Sequence, residues 1–567
     1  MKKIMALLMM ALLLCCAFSG MVVANEEGEM VAVAEEGEKV VKISGDDWGY
    51  PTPFAHYPRG PGYIRMSFMF DTLTWKDEDR VIPWLADSWS ASYDAKIWTF
   101  YLHRGVKWSD GEPFTADDVK FTFDYVKEHP QQLNYDEQNV DHVEIMDPYT
   151  VSIHLKESRP AFIEDVTGSI PIIPEHIWKD VDEPGKYRDD DAVIGTGPLK
   201  LVEYVPEQGY YEYEANTECF KGHPIIDLFI SREVSNDAIA LKAGDIDVAS
   251  FWGKEIVAKE EFENDPDFEI ITGPSWWVRK LYFNCEKYPT NIKEFRHALA
   301  YGIDREGFVK NVMHDGAIVA NTGIIHPDSK WYKDDLPGYE YNNVTANKML
   351  DELNFTDTDG NGVRNYPGGE DIEFVLFANT IMNAKDEAEY IHENLEKIGI
   401  KTEVRMMSSK EIDPILNTGE FNIAISGHGA IVQPRKLYTF YSYKNDEYNE
   451  LYEKQLKTTK EDVRKECVGD MQTIIADDLP VYALYHPLMW EVYNPDKLDT
   501  WFYTKDGIAV GIPIAQNKLI FLFDPWRYDA NEDGIIDESE VDDATQDYDD
   551  GKITSEQLDM VSNLYYP

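Results

Sequence analysis

The chain reads as a mixed α/β protein of several domains, closed at its C-terminus by a small α-helical module. Three observations carry this. Its 567 residues are 43% hydrophobic and 28% charged, enough apolar material for a large core spread over about two to four domains. Residues 98–127 pack two extended pieces, two glycine turns and a capped helix into one short stretch, the signature of alternating strand and helix. From Asp529 the spacing of oxygen-bearing residues changes to that of a calcium loop, with a helical pattern behind it.

The N-terminus comes first. Met1-Lys2-Lys3 and the apolar run from Ile4 to Ala24 read as a secretory signal, with Val22-Val23-Ala24 before Asn25 as its cleavage site. The length of the run also fits an uncleaved N-terminal membrane anchor. Cys15-Cys16 invites a lipoprotein reading, but Leu12-Leu13-Leu14 lacks the small residues expected before a lipidated cysteine. Residues 1–24 are therefore assigned to a signal peptide or N-terminal anchor and 25–39 to an acidic linker, which places the rest outside the cytoplasm. The formal net charge of −52 excludes nucleic acid and anionic membrane surfaces as direct partners. Cys219, Cys285 and Cys467 lack metal spacing and read as core cysteines, with at most one disulfide.

Residues 40–44 alternate like a strand and open the first domain. Residues 45–65 are rich in Gly, Pro and aromatics without periodicity, a loop either packed over the core or lining a site. Trp98, Phe100 and Leu102 alternate with Thr99, Tyr101 and His103 as a half-buried strand. Thr115 and Asp118 form a capping box, and Val119, Phe123 and Val126 give the helix behind it an apolar stripe. Gly195-Thr196-Gly197-Pro198 lacks the Gly-Lys-Ser/Thr of a phosphate loop and reads as backbone turning between domains. Residues 238–249 read as a helix stopped at Gly244 and followed by a strand.

A further domain starts near Leu281. Phe295, Ala298, Leu299 and Ile303 sit at helical spacing, and Asp304 caps the next helix. Asp357, Asp359, Asn361 and Gly362 imitate half a calcium loop. Arg364 and Gly368 stand where an aliphatic residue and a glutamate belong, so the segment reads as a hairpin turn. Phe421, Ile423 and Ile425 form a strand ending at Ser426-Gly427, and residues 519–523 (LIFLF) read as a strand closing the first domain.

These pieces resemble a known family. WTFYLHRGVKWSDGEPFTADDV (98–119) is similar to the signature of the extracytoplasmic solute-binding proteins of the peptide/nickel type, family 5, which serve ABC transporters. FMFDTLTW and PWLADSW precede it. IGTGPLKLVEY, ALKAGDIDVA, FRHALAYGIDRE, FTDTDGNGVRNYPGG and WFYTKDGIAVGIPIAQNK follow in order. The resemblance runs from about residue 40 to 525. It implies a two-lobed periplasmic-binding-protein-like fold of the three-domain type II. Domain I is 40–67, 194–280 and 499–526, domain II is 68–193 and domain III is 281–498, with the module at 527–567. It further implies a monomeric receptor, not an enzyme, that takes a peptide-like or related small solute in an interdomain cleft and hands it to a membrane permease. Its binding domains need no cofactor. The alternatives are a nickel or metal-chelate receptor on the same scaffold and a calcium-dependent cell-surface scaffold or sensor. An enzyme would need chemistry for which no His-Glu-x-x-His, Gly-x-Ser-x-Gly or Walker motif is present.

The resemblance also places the ligand. In the family the first aromatic loop approaches it, so Trp48, Tyr50 and Phe54 are candidates, and Trp276-Trp277 lie where the hinge passes. Gly427, His428, Gly429 and Arg435 complete the expected site. Peptide-binding members often carry here a tryptophan, an acidic partner for the peptide amino terminus and an acidic-Pro pair. This chain has His428, Ile431 and Gln433-Pro434 instead. A buried ammonium would lack its counter-charge, so simple di- and tripeptides are expected to bind weakly.

The tail has its own chemistry. Asp529, Asn531, Asp533, the Ile535 carbonyl, Asp537 and the bidentate Glu540 match the ligands of an EF-hand Ca2+ loop, with Gly534 at the sharp turn and Ile536 at the eighth position. A degenerate copy follows, with Gln546, Tyr548 and Gln557 at its first, third and twelfth positions. The spacing resembles dockerin-like modules, and Ile553 is expected to pair with Ile536. Residues 527–567 hold 13 Asp+Glu against 2 Lys+Arg, so ordering is expected to depend on calcium, with a surface partner as the module's target.

Overall fold

The strand Val481–Tyr493 organises the fold. Twelve of its 13 residues are buried, as its near-continuous apolar sequence requires of a strand covered on both faces. Its first half pairs antiparallel with Val278–Phe283. Its second half pairs with Val248–Trp252 and with Glu269–Pro274. The change of partner falls near His486 and Pro487, where Ala317–Val319 also pairs with it. One strand thus belongs to two halves of a twelve-stranded sheet. The boundary expected at residue 498 lies beyond this change of partner. The computed structural model describes residues 21–24, 30–33, 38–57, 60–77, 80–131, 137–275, 277–380, 384–428, 434, 437, 440–498, 504, 517–531, 535–549 and 552–565.

One half-sheet runs Leu199–Val205, Tyr210–Ala215, Leu228–Arg232, Val40–Ser44 and Val248–Trp252. A separate antiparallel sheet of Ala86–Ala91, Ile97–Leu102, Thr150–Leu155 and Val140–Asp147 stands beside it. The two share one buried cluster, with Val41 and Phe229 from the first, Phe100 and Ile153 from the second, and Phe68 and the helical Phe123 packed with them. They form one lobe. The other half-sheet, Val278–Phe283, Ile423–His428, Glu373–Asn379 and Lys401–Met407, has apolar clusters of its own around Leu281, Phe374 and Ile425 and around Tyr282, Ala424 and Met471. It forms the second lobe.

Local signals are met where the sequence places them. Thr115 and Asp118 make the reciprocal capping box of helix Ala116–Glu128, whose Val119, Phe123 and Val126 are buried. Asp304 caps Arg305–Asn311 by accepting the Gly307 amide. Gly244, at φ +75°, ends Asp237–Ala243 in the left-handed conformation. In the imitation calcium loop the Asp357 carboxylate accepts the amides of Gly360 and Gly362, and Asn365 bridges Asp371 across a tight turn.

The shared motifs meet far from any opening. Asp71 and Trp75 come from FMFDTLTW, Trp84 from PWLADSW, Thr196 from IGTGPLKLVEY, and Asn517 and Lys518 from the last motif. Asp71 accepts from Trp84 Nε1 at 2.6 Å and from Thr196 Oγ1 at 2.7 Å, and it pairs with the Lys518 ammonium. Lys518 also lies 3.9 Å from the centre of the Trp75 ring, and Trp75 Nε1 donates to Asn517 at 2.8 Å. Asp71 and Lys518 are both fully buried. Gly195 and Gly197 permit the close packing, because a Cβ there would meet the carbonyl oxygens of Met69 at 1.9 Å and Phe68 at 2.4 Å. These motifs therefore join three distant segments of the chain in the first lobe.

Three expectations change. Residues 519–523 are no strand, since Lys518–Phe521 forms a 3-10 turn capped by Asn517, with Ile520 and Phe521 in the core of the first lobe. A hydrophobic run alone does not distinguish a strand from a buried turn. The cysteine reading stands: Cys219, Cys285 and Cys467 are all free, Cys219 and Cys467 buried and Cys285 half-buried. Within the expected linker, Met30–Val33 pairs with Met21–Ala24. In the tail, Ile536 bridges Tyr565 rather than Ile553. Ile536 and Ile553 instead share a small core with Phe523, Tyr528, Ala544 and Val561, between helices Glu538–Asp549 and Ser555–Ser562. Among the described residues no helix is long and apolar enough to cross a membrane.

Candidate functional site: the cleft between the lobes

The chain passes between the lobes near Ser275 and Trp277 and again at the middle of the long strand, which makes this edge the hinge. Ser275 Oγ donates to the Pro487 carbonyl, and His486 Nδ1 lies 3.0 Å from the Trp277 carbonyl oxygen, so the two crossings are tied together. Opposite the hinge the lobes touch again. Lys457 Nζ lies 2.8 Å from Glu157, and Ser158 Oγ donates to the Lys457 carbonyl at 3.1 Å. Between these contacts Lys410, at the start of helix Ser409–Thr418, sits 5.8 Å from the centre of the Tyr57 ring in the other lobe. The parallel strands Glu373–Asn379, Lys401–Met407 and Ile423–His428 end on this side, the position where open α/β sheets place ligands.

The expected aromatic residues divide. Trp48 is part-exposed, 6.1 Å from Tyr57, and its amide donates to the Tyr211 hydroxyl. Tyr50 is half-buried under Arg188, whose guanidinium lies 4.9 Å from its ring. Phe54 is only 2% exposed and packs on Trp178 and Tyr125, inside the core of the first lobe. Trp277 is part-exposed at the hinge, and its indole crosses Gly427, where a Cβ would come within 2.3 Å of its Nε1. Gly427 and His428 form the end of their strand, paired with Arg279 and Val278. Trp276, Gly429, Ile431, Gln433, Arg435, Asp533 and Gly534 lie outside the described residues.

Two further residues stand at the same edge. All six positions of Val278–Phe283 are buried, and two are cations. Arg279 donates from Nε to Glu387 at 2.9 Å and from Nη1 to Asn379 at 3.0 Å, and Nη2 also reaches Glu387. Burial works against the guanidinium charge, but Glu387 holds its pKa above the usual value. Lys280 points to the opposite face, level with Ser426 and Ala483. Among the described residues its ammonium makes no hydrogen bond and no ion pair, and its near neighbour is the Tyr282 ring at 5.0 Å. Burial alone draws its pKa down to about 7. His486 is likewise held neutral, with its pKa lowered to about 3 by burial and the adjacent His326. Sequence reasoning missed this group. Its one visible signal was Arg279-Lys280 interrupting an otherwise apolar strand.

Two lobes on a shared hinge around a cleft define a binding protein that closes on its ligand. The family described as Bacterial extracellular solute-binding proteins, family 5 Middle, matches residues 80–450, and the chain belongs to that family. Its members bind solutes and are not enzymes. The chain is 28% identical over 438 residues to the oligopeptide-binding protein AppA of Bacillus subtilis, covering 73% of this chain and 78% of that one. It is 24% identical to di/tripeptide-binding protein 1 of Pseudomonas aeruginosa, covering 78% and 88%. Among solved structures it is similar to B. subtilis AppA in complex with a nonapeptide, with a TM-score of 0.71, 23% identity and coverage of 84% and 99%. It is equally similar in fold to NikZ of Campylobacter jejuni in complex with Ni(L-His), with a TM-score of 0.70, 24% identity and coverage of 81% and 94%.

Proposed function

We propose that this chain is the extracytoplasmic substrate-binding component of an ABC importer, capturing a peptide-like solute between its lobes and presenting it to a membrane permease. The hinge near Ser275 and Trp277, shared with the long strand Val481–Tyr493, is the observation that carries this reading, because closure of two lobes on one pivot couples ligand capture to a change of shape. The peptide-binding relatives support the solute class. The strand end at Gly427-His428 supplies backbone groups for an added peptide strand. Mass spectrometry of the solute that co-purifies with the native chain is the test. A peptide supports the reading, and a metal chelate or a sugar oligomer in its place overturns the solute class while keeping the receptor. His428→Ala is expected to weaken binding of the recovered solute with little change in melting temperature. An unchanged dissociation constant removes His428 from the site.

The tail adds a second element to this proposal, a calcium-binding, dockerin-like module that docks the protein to a surface partner. The oxygen donors of the loop are of the chemistry a hard divalent cation takes, although among the described residues no three acidic side chains converge on one point. Glu540 is 5% exposed, and its two oxygens accept the amides of Ala530 at 2.9 Å and Asp537 at 3.0 Å. It forms no ion pair among the described residues, so its buried negative charge calls for a cation. Asp529, Asn531, Asp533, the Ile535 carbonyl, Asp537 and Glu540 would hold Ca2+, which would neutralise the loop and order the two helices. Glu540→Gln is expected to lower calcium affinity at least tenfold and to expose the tail to protease, while solute affinity stays unchanged. If chelation abolishes solute binding and leaves the tail protected, the division of roles is wrong.

A further inference from the structure

We propose that Lys280 is the anchor for an anionic group of the solute, a carboxylate, so that the cleft selects its ligand by negative charge. The inference rests on the peptide-receptor reading and specifies the chemistry of the same site.

Every other buried lysine or arginine among the described residues has a partner. Arg279 is paired with Glu387 and Asn379. Arg296 donates to the carbonyls of Thr290, Asp478 and Leu479. Lys518 is paired with Asp71. Lys280 is 0% exposed, and among the described residues its Nζ has no hydrogen bond. An ammonium taken out of water without a counter-ion costs several kcal/mol, and a methionine of similar volume would fill the space without that cost. A charge-bearing side chain held under strain of this kind is explained when its counter-ion arrives with a ligand.

Position supports this. Lys280 is the third residue of a strand that begins at the hinge and is level with Ser426, one residue before Gly427. Its Cα therefore lies two residues, about 7 Å, from the cleft edge of the sheet. The lysine side chain can span most of that distance, and with no bond fixing its end it can swing from the Tyr282 ring toward the edge. The same region has lost the acid that would receive an ammonium. Residues 421–445 contain no Asp or Glu before Asp446, and Ile431 stands at the expected acidic position. A site without its acid and with an unpaired buried lysine has the polarity for a carboxylate.

The test uses the full chain and three pools of N-acetylated pentapeptides, read by native mass spectrometry. One pool has neutral side chains and free C-terminal carboxylates. The second is the same pool amidated at the C-terminus. The third is amidated but contains Glu. Wild type is expected to retain the first pool, the third or both at least tenfold better than the second, and which of them it retains separates a terminal from a side-chain carboxylate. In Lys280→Met, which keeps the side-chain volume, that preference should vanish while the melting temperature does not fall. Equal retention of all three pools by wild type, or a preference that survives in Lys280→Met, overturns the anchor and leaves the peptide receptor standing. Retention of no pool overturns the peptide reading and the anchor together.

Discussion

Arg279 and Lys280 are neighbours on one strand, both 0% exposed, and face opposite sides of the same sheet. On the Arg279 side the charge is met by Glu387 from helix Ala384–Glu396 and by Asn379. On the Lys280 side the neighbours are Tyr282 and an apolar cluster built from Val278, Phe377, Ile412 and Leu416. The Arg279 face is complete as it stands and locks the second lobe together. On the Lys280 face no counter-charge stands among the described residues. The contrast separates a structural ion pair from a site: burial is equal, and only the presence of a partner differs.

The largest effect should come from breaking the complete face. Arg279→Met leaves Glu387 buried without its counter-charge and is expected to destabilise the chain by about 3–5 kcal/mol, read as a shift in the urea midpoint. The double change Arg279→Met with Glu387→Met should recover most of that loss. If the single change is neutral, Glu387 is not carrying a buried charge and the comparison fails on this side.

The opposite sign is expected on the other face. Lys280→Met should stabilise the solute-free chain by about 4–5 kcal/mol at pH 7 at most, since each unit of pKa depression is worth about 1.4 kcal/mol. Lys280 is lowered from 10.5 to about 7 in the fold, so the penalty is full below pH 7 and disappears as pH rises past 10.5. The gain from Lys280→Met should shrink over that interval. A destabilised Lys280→Met would mean that the lysine is satisfied where it stands.

A smaller effect sharpens the picture at the hinge. The folded-state pKa of His486 is lowered to about 3, so the unfolded chain binds the extra proton first. Stability present above pH 6.5 is then lost as pH falls toward 3, by at most about 1.4 kcal/mol per pH unit. His486→Asn retains an N–H for the Trp277 carbonyl and is expected to flatten that slope in urea titrations between pH 7 and 5. His56, lowered to about 4 by burial, keeps part of it. An unchanged slope would assign the acid sensitivity elsewhere.

Short-range features were legible because their causes lie within a few residues. The Thr115–Asp118 box, the Asp304 cap and the Gly244 stop follow from side chains and glycine freedom three or four positions apart. The collinear motifs also carried the family and its two-lobed fold, and the strand expected to end at Ser426-Gly427 runs one residue further, to His428. The missing acid at Ile431 could be read directly. What filled its place could not.

Tertiary structure alone decided the rest. Asp71 and Lys518 are 447 positions apart and meet only when distant segments of the chain converge. The strand Val481–Tyr493 looks uniform in sequence, yet it changes partners midway and becomes part of the hinge. LIFLF has the composition of a strand and forms a turn, because Asn517 caps its first amide and, among the described residues, it joins no strand ladder. Arg279 and Lys280 are adjacent in the sequence and alike in charge. The alternation of a strand sends them to opposite faces, and a carboxylate waits on only one of them. The sequence by itself determined which elements form and which residues bear charge. Only the fold decided which charges find partners, because that depends on chain segments a hundred and more residues away.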